Sequence, residues 1–172
     1  MEIDQHSRGD INAPLVLVEY SDFECPFCKR FADTLEQVLS EYQGQIRHVY
    51  KHFPLSFHDH AESASLASEC AAEQGLFWDY HDKIYENQND LGRDTYLSIA
   101  RDIELNMYEF ISCLDSQKYQ DKVDQHFDEG VKDGISGTPG SYIIDSNNER
   151  TAIKGAQSYS SVASIINGLL AE

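Results

Sequence analysis

The sequence predicts a mixed α/β domain. A strand–helix–strand unit opens it, a block of helices interrupts it, and a strand–strand–helix unit closes it. Three observations predict this. The run Pro14-Leu15-Val16-Leu17-Val18-Glu19-Tyr20 is Val-rich, almost continuously apolar and introduced by a proline, the pattern of a buried strand. Residues 58–131 are rich in Ala, Glu and Leu at helical spacing. After them come two short apolar segments joined by the turn "DSNNE", and then an amphipathic tail.

The elements follow in order. Past Cys28, the residues Phe31, Leu35, Val38 and Leu39 share one helical face. Gly44 closes that helix or its loop. Residues 45–53, "QIRHVYKHF", read as a second strand that Pro54 ends. A strand, a helix and a strand in so short a span form a βαβ unit with parallel strands. In the helical block, "HDHAESASLASECAAEQGLFWDYHDKIYEN", "TYLSIARDIEL", "MYEFISCLDSQKY" and "QDKVDQHFDEGVKD" are separate helices, with breakers near Gly92 and Asn106. "GISGTPGSYIID" is a turn cluster leading into a strand, and "RTAIKGA" is its hairpin partner. In the tail, Val162, Ile165, Ile166, Leu169 and Leu170 face inward.

Composition narrows the function. The chain has 172 residues and is 41% hydrophobic, enough for one domain with a core. Asp and Glu outnumber Lys and Arg 30 to 13, for a formal charge of −17. Such a surface repels phosphate backbones and anionic bilayers, so no nucleic-acid partner is expected. No apolar run approaches the roughly 20 residues of a membrane span. The start, MEIDQHSRGD, has no basic or apolar signal-peptide region, either because Met1 is native or because an export signal has been removed. Four cysteines are too few for a disulfide-stapled mini-protein.

The chemistry centres on Cys25-Pro26-Phe27-Cys28. Proline favours the first position inside a helix, so Pro26 puts the helix start at 26 and Cys25 at the N-cap. A sulfur there faces free backbone N–H groups and the positive end of the helix dipole, which favours thiolate over thiol. Cys28 lies one turn on and more inward. Cys25 is therefore the attacking, solvent-exposed thiol and Cys28 the resolving one. A zinc clamp would need a second ligand pair, and Cys70 and Cys113 are isolated from each other in sequence. The His58-Asp59-His60 run reads as a solvated loop, so no metal site is expected. Glu19 is an acid inside an apolar strand, which is costly unless it is neutral, paired or at a solvent-facing end.

The stretches "LVEYSDFECPFC", "KHFPLSFHDHAESASLASECAAEQGLFWDYHDKIYEN", "CLDS" and "GISGTPGSYII" resemble the DsbA-like branch of the thioredoxin superfamily, especially its single-domain bacterial members. The similarity runs from about Gly9 to the C-terminus. It implies a thioredoxin fold made of residues 1–57 and 132–172, with a helical domain inserted at 58–131. It implies that Pro139 is a cis proline against the cysteines, turning the Thr138 backbone toward Cys25. It also implies that Glu19 relays protons for Cys28, with His48 or Lys51 as its partner. Cys70 and Cys113 are either two buried thiols or, as in similar chains, a disulfide; closing their loop would contribute roughly 4 kcal/mol. Two departures stand out. Phe27 occupies the position where the strongest oxidants of the family carry histidine. Gly140-Ser141 follows Pro139 where many relatives have bulkier residues, which reshapes the substrate groove.

The expected function is thiol–disulfide exchange with protein thiols outside the cytoplasm, in the periplasm or an equivalent compartment. A disulfide-donating oxidase is expected, without cofactor, with protein substrates and a redox partner that recycles its active site. A reductase or isomerase is the alternative on the same fold, and a redox-inert peptide- or metal-binding module is the alternative outside that class. Few residues precede the first predicted strand, which favours a monomer over the dimeric isomerase relatives.

Overall fold

A computed structural model of the protein describes residues 6–171. Five strands form one sheet in the order β1-β3-β2-β4-β5, where β1 is Ser7–Gly9, β2 Leu15–Ser21, β3 Ile46–His52, β4 Gly140–Ile144 and β5 Arg150–Lys154. β2 and β3 are parallel, with Glu19 opposite Tyr50 and Ser21 opposite His52. The other pairs are antiparallel. The mixed α/β fold expected of the sequence is present.

β1 is an addition to that expectation. "SRG" has no strand composition, and it pairs because the chain before β2 lies along β3; just before it, the His6 carbonyl accepts from the Tyr50 N–H at 2.9 Å. Side chains two apart share a face of a strand. One face carries Leu15, Leu17, Ile46, Ile143 and Ile153, covered by helix α1 (Pro26–Glu41) and the C-terminal α7 (Tyr159–Leu170). In α1, Cys28, Phe31, Leu35 and Val38 point inward, while Leu39 is half-buried. In α7, Val162 and Ile166 are buried, with Ile165, Leu169 and Leu170 packed at the margin.

Five further helices lie between β3 and β4: α2 (Ala61–Ala72), α3 (Phe77–Glu86), α4 (Arg93–Asp102), α5 (Met107–Asp115) and α6 (Gln120–Lys132). Gly92 and Asn106 are the N-caps of α4 and α5. A bridge between Cys70 of α2 and Cys113 of α5 ties the block together. The opposite face of the sheet presents Val18, Tyr20, Val49, Phe53, Tyr142 and Ile144, and Phe127 of α6 packs on it. The approach is close at Gly130, where a Cβ would sit 2.6 Å from the Phe53 ring and 2.9 Å from Tyr20.

Candidate active site

β2 runs into the turn Asp22-Phe23-Glu24, which delivers Cys25 to the start of α1. Buried Asp22 holds this turn: one carboxylate oxygen accepts from the Glu24 N–H at 2.8 Å, and the other meets the Leu55 N–H at 2.8 Å and His58 Nδ1 at 2.7 Å. His58 is therefore an anchor of the active-site turn rather than part of a solvated loop. Gln88, in the 3-10 turn after α3, donates to the carbonyls of Phe23 (2.8 Å) and Cys25 (2.9 Å).

Pro26 opens α1 and Cys25 is its N-cap. The sulfur, however, is not openly exposed: Cys25 is 3% accessible and Cys28 fully buried. The reason is the loop before β4. The Thr138–Pro139 bond is cis, Pro139 is buried, and the Thr138 carbonyl lies 3.5 Å from Cys25 Sγ. The helix terminus accounts for less of the thiolate's stability than expected. Sγ makes no hydrogen bond of cap geometry. The Cys25 pKa is lowered to about 6 first by a hydrogen bond from the Cys28 thiol, then by Thr138 and the Cys28 and Phe27 N–H groups, all against the opposing effect of burial. The Cys28 pKa is raised well above the ordinary thiol value by burial, by Cys25 and by the charge of Glu19.

Glu19 lies on the sheet face that α1 covers and is fully enclosed. It is paired and ionised: burial pushes its pKa up, but His48, whose Nε2 is 2.8 Å from the carboxylate, together with Ser21 and His81 brings it below the ordinary value. Of the two expected partners, His48 is the one in contact; Lys51, on the opposite face, pairs with Glu129 at 2.5 Å. The proton on His48 can be located. Arg8 Nε, which can only donate, is 3.3 Å from His48 Nδ1, so Nδ1 accepts and the ring proton sits on Nε2, facing Glu19. Burial keeps His48 neutral. Ser21 and Tyr85, hydrogen-bonded at 3.0 Å, complete the polar floor with Tyr50.

Phe27 is 54% exposed, with the Arg30 guanidinium 5.2 Å from its ring. Beside Thr138 and Pro139 opens a groove of about 670 Å³ along β4 and β5, lined among others by Tyr142, Arg150, Ile153 and Lys154. At Gly140 the packing is tight: a Cβ would lie 2.7 Å from the Ile135 side chain and 3.0 Å from the Gly137 carbonyl, so a larger residue would force a shift. The sequence reading missed Gln88, Asp22 and Arg8. Asp22, beside the cysteines in "YSDFEC", could have been found by its position; Gln88 and Arg8 are joined to the site only by tertiary contacts.

A family model described as thioredoxin matches residues 2–167. In sequence the chain is similar to part of the Na+/H+ antiporter NhaA 3 of Salinispora tropica, at 34% identity over 80% of this chain and 21% of that protein. It is likewise similar to the antiporter NhaA of Herminiimonas arsenicoxydans, at 34% over 83% and 22%. The chain thus spans about a fifth of these curated relatives. In structure it is similar to oxidised BdbD from Bacillus subtilis (TM-score 0.83, 25% identity, 96% of this chain and 92% of that one). It is similar also to Pseudomonas aeruginosa DsbA2 (0.80, 23%, 98% and 96%) and to Wolbachia pipientis alpha-DsbA1 (0.84, 19%, 99% and 92%).

Proposed function

The chain belongs to the thioredoxin family, and from that premise we propose that it is a thiol–disulfide oxidoreductase that donates disulfides to protein thiols. The single observation that carries the reading is the asymmetry of the cysteine pair. Cys25 is held down to about 6 while its neighbour Cys28 is held well above the ordinary range.

In the oxidised protein, a substrate thiolate attacks Cys25 Sγ and the Cys25–Cys28 bond breaks. The electron pair leaves on Cys28, which takes up a proton because its buried thiolate is unfavourable. A second substrate thiolate then attacks the substrate sulfur of the mixed disulfide. Cys25 departs as a thiolate, stabilised by the Cys28 thiol and by the Thr138 side chain. The substrate gains a disulfide and the Cys25–Cys28 pair two electrons. A midpoint near 6 makes Cys25 a good leaving group, within the roughly 3.5–7.5 range of activated cysteines. Glu19 raises the Cys28 pKa by its charge, and with the Nε2 proton of His48 at 2.8 Å it forms the relay for the Cys28 proton. Thr138 offers its backbone to an extended substrate chain, whose flanking residues occupy the groove beside Pro139.

The Cys70–Cys113 bridge supports an oxidising, extracytoplasmic setting. The division into residues 1–57 with 132–172 and an inserted 58–131 is likewise part of this reading. So are a monomeric state and a separate partner that reoxidises Cys25 and Cys28. Antiport is not part of it, since the match covers only about a fifth of each antiporter.

The test is trapping. Cys28→Ser accumulates mixed disulfides with reduced protein substrates, and Cys25→Ser exchanges nothing. A reduction potential at the reducing end of the scale would turn the reading to a reductase. Equal alkylation of both thiols at mildly acidic pH would remove the assignment of roles.

A further inference from the structure

Near the Cys25–Cys28 pair, at the ends of β3 and α2, lies a second cluster that exchange chemistry does not use. His6 precedes β1, His52 ends β3, and Glu69 lies in α2; all three are at most 1% accessible. His6 Nε2 is 2.5 Å and His52 Nε2 2.8 Å from the same oxygen, Glu69 Oε1. The three donor atoms lie within 4.8 Å of one another. From α6, Lys122 Nζ approaches Glu69 Oε2 at 2.8 Å and His6 Nε2 at 3.0 Å.

These contacts are mutually inconsistent in protons. An ammonium only donates and a carboxylate only accepts. If His6 Nε2 carries a proton, it satisfies Glu69 and turns an N–H toward the Lys122 ammonium. If it is bare, it accepts from Lys122 and turns a lone pair toward Oε1. Neither neutral tautomer of His6 serves both neighbours. A divalent cation, bound by the lone pairs of His6 Nε2, His52 Nε2 and Glu69 Oε1, removes the conflict.

We propose that His6, His52 and Glu69 form a structural site for a divalent transition metal of the zinc class, which the Lys122 ammonium occupies as a surrogate cation in the metal-free protein. Two imidazoles and one carboxylate are a recurrent zinc donor set. Bonds of 2.0–2.1 Å in a tetrahedron put ligands about 3.3 Å apart, so the two nitrogens need retreat from Oε1 by less than about 1 Å. Three donors suit neither Ca²⁺ nor Mg²⁺, which take six or more oxygens. The net charge of −17 favours cation uptake. The ion would join the segment before β1, the end of β3 and the helical block. It would do so beneath Phe23, whose ring is 6.1 Å from that of His52 and which lies two residues before Cys25.

The proposal is independent of the redox reading and is tested without it. The Cys25→Ser/Cys28→Ser variant, unable to bind metal at its active site, is titrated with zinc chloride. Bound zinc is measured after desalting, together with the melting temperature. The expected result is one zinc per chain with a raised melting temperature, unaffected by excess Mg²⁺ or Ca²⁺. His6→Asn should weaken binding more than about tenfold, since losing a ligand costs at least as much as losing a ligand's support. Glu69→Gln should abolish it, and Lys122→Met should tighten it by removing the competing cation. If Glu69→Gln does not fold, His6→Asn and Lys122→Met decide. No retained zinc, zinc indifferent to His6→Asn, or zinc weakened by Lys122→Met would each overturn the site.

Discussion

Replacing Cys28 by alanine removes the largest single support of the Cys25 thiolate, the hydrogen bond from the Cys28 thiol. A hydrogen bond to a charged group contributes about 1.5–3 kcal/mol, and each pH unit corresponds to about 1.4 kcal/mol. The Cys25 midpoint should therefore move from about 6 to between about 7 and 8. At pH 7 the thiolate fraction would fall from about nine-tenths to between about a half and a tenth. The assay is the rate of iodoacetamide alkylation, or thiolate absorbance, followed from pH 4 to 9. In the reduced wild-type chain the rate should rise about tenfold between pH 5 and pH 7, whereas an unperturbed thiol near 8.5 would rise about a hundredfold. Cys28→Ser keeps a donor and should stay near the wild-type midpoint. An alanine variant still titrating near 6 would refute the reasoning and assign the thiolate's stability to Thr138 and the helix terminus.

His48, His52 and His81 are buried and held neutral in the folded chain, with pKa values lowered by burial, whereas the unfolded chain protonates them below about 6.5. The unfolded state then binds the extra protons, so stability should fall as pH drops below about 6.5, by up to about 1.4 kcal/mol per pH unit for each histidine. Urea midpoints at pH 7.5 and 5 check this, and equal midpoints would contradict it. Gln88→Ala frees the carbonyls of Phe23 and Cys25. It should cost about 1–3 kcal/mol and speed hydrogen exchange in residues 22–28, whereas unchanged exchange would mean that Asp22 alone fixes the turn. Phe27→His places a donor and partial charge beside Cys25 and should make the disulfide more oxidising, by about 30 mV for each tenfold gain in thiolate stability. A potential unchanged within about 10 mV would mean that residue 27 points away from the sulfur.

Most of the fold was legible in the sequence, because the signals are local. Apolar runs and the 3.6-residue rhythm marked the long elements, Pro26 marked the start of α1, and Gly92 and Asn106 marked breaks between helices, all settled by neighbours a few residues away. The strand β1 was not legible, because three residues with no strand composition pair only when β3 lies beside them. The two cysteines also announced themselves, through spacing and the proline between them. Their unequal roles were expected from the helix start, but the contacts behind them were not. Cys25 is covered by Thr138, 113 residues away, and the acidity of its thiol depends more on Cys28 than on the helix terminus.

The same division separates the acids and histidines. An acid at Glu19 in an apolar strand signalled that it needed a partner, but only the parallel register of β2 and β3 chose His48 over Lys51 by putting one on the Glu19 face and the other opposite. His6, His52 and Glu69 gave no pattern at all, being 63 and 17 residues apart along the chain and within hydrogen-bonding distance in the fold. Sequence by itself determined where the chain is helical and extended, because those properties come from short-range sterics and residue chemistry. Tertiary structure decided which groups share a proton or a charge, because those interactions fall off within a few ångströms and the chain brings such groups together only when it folds.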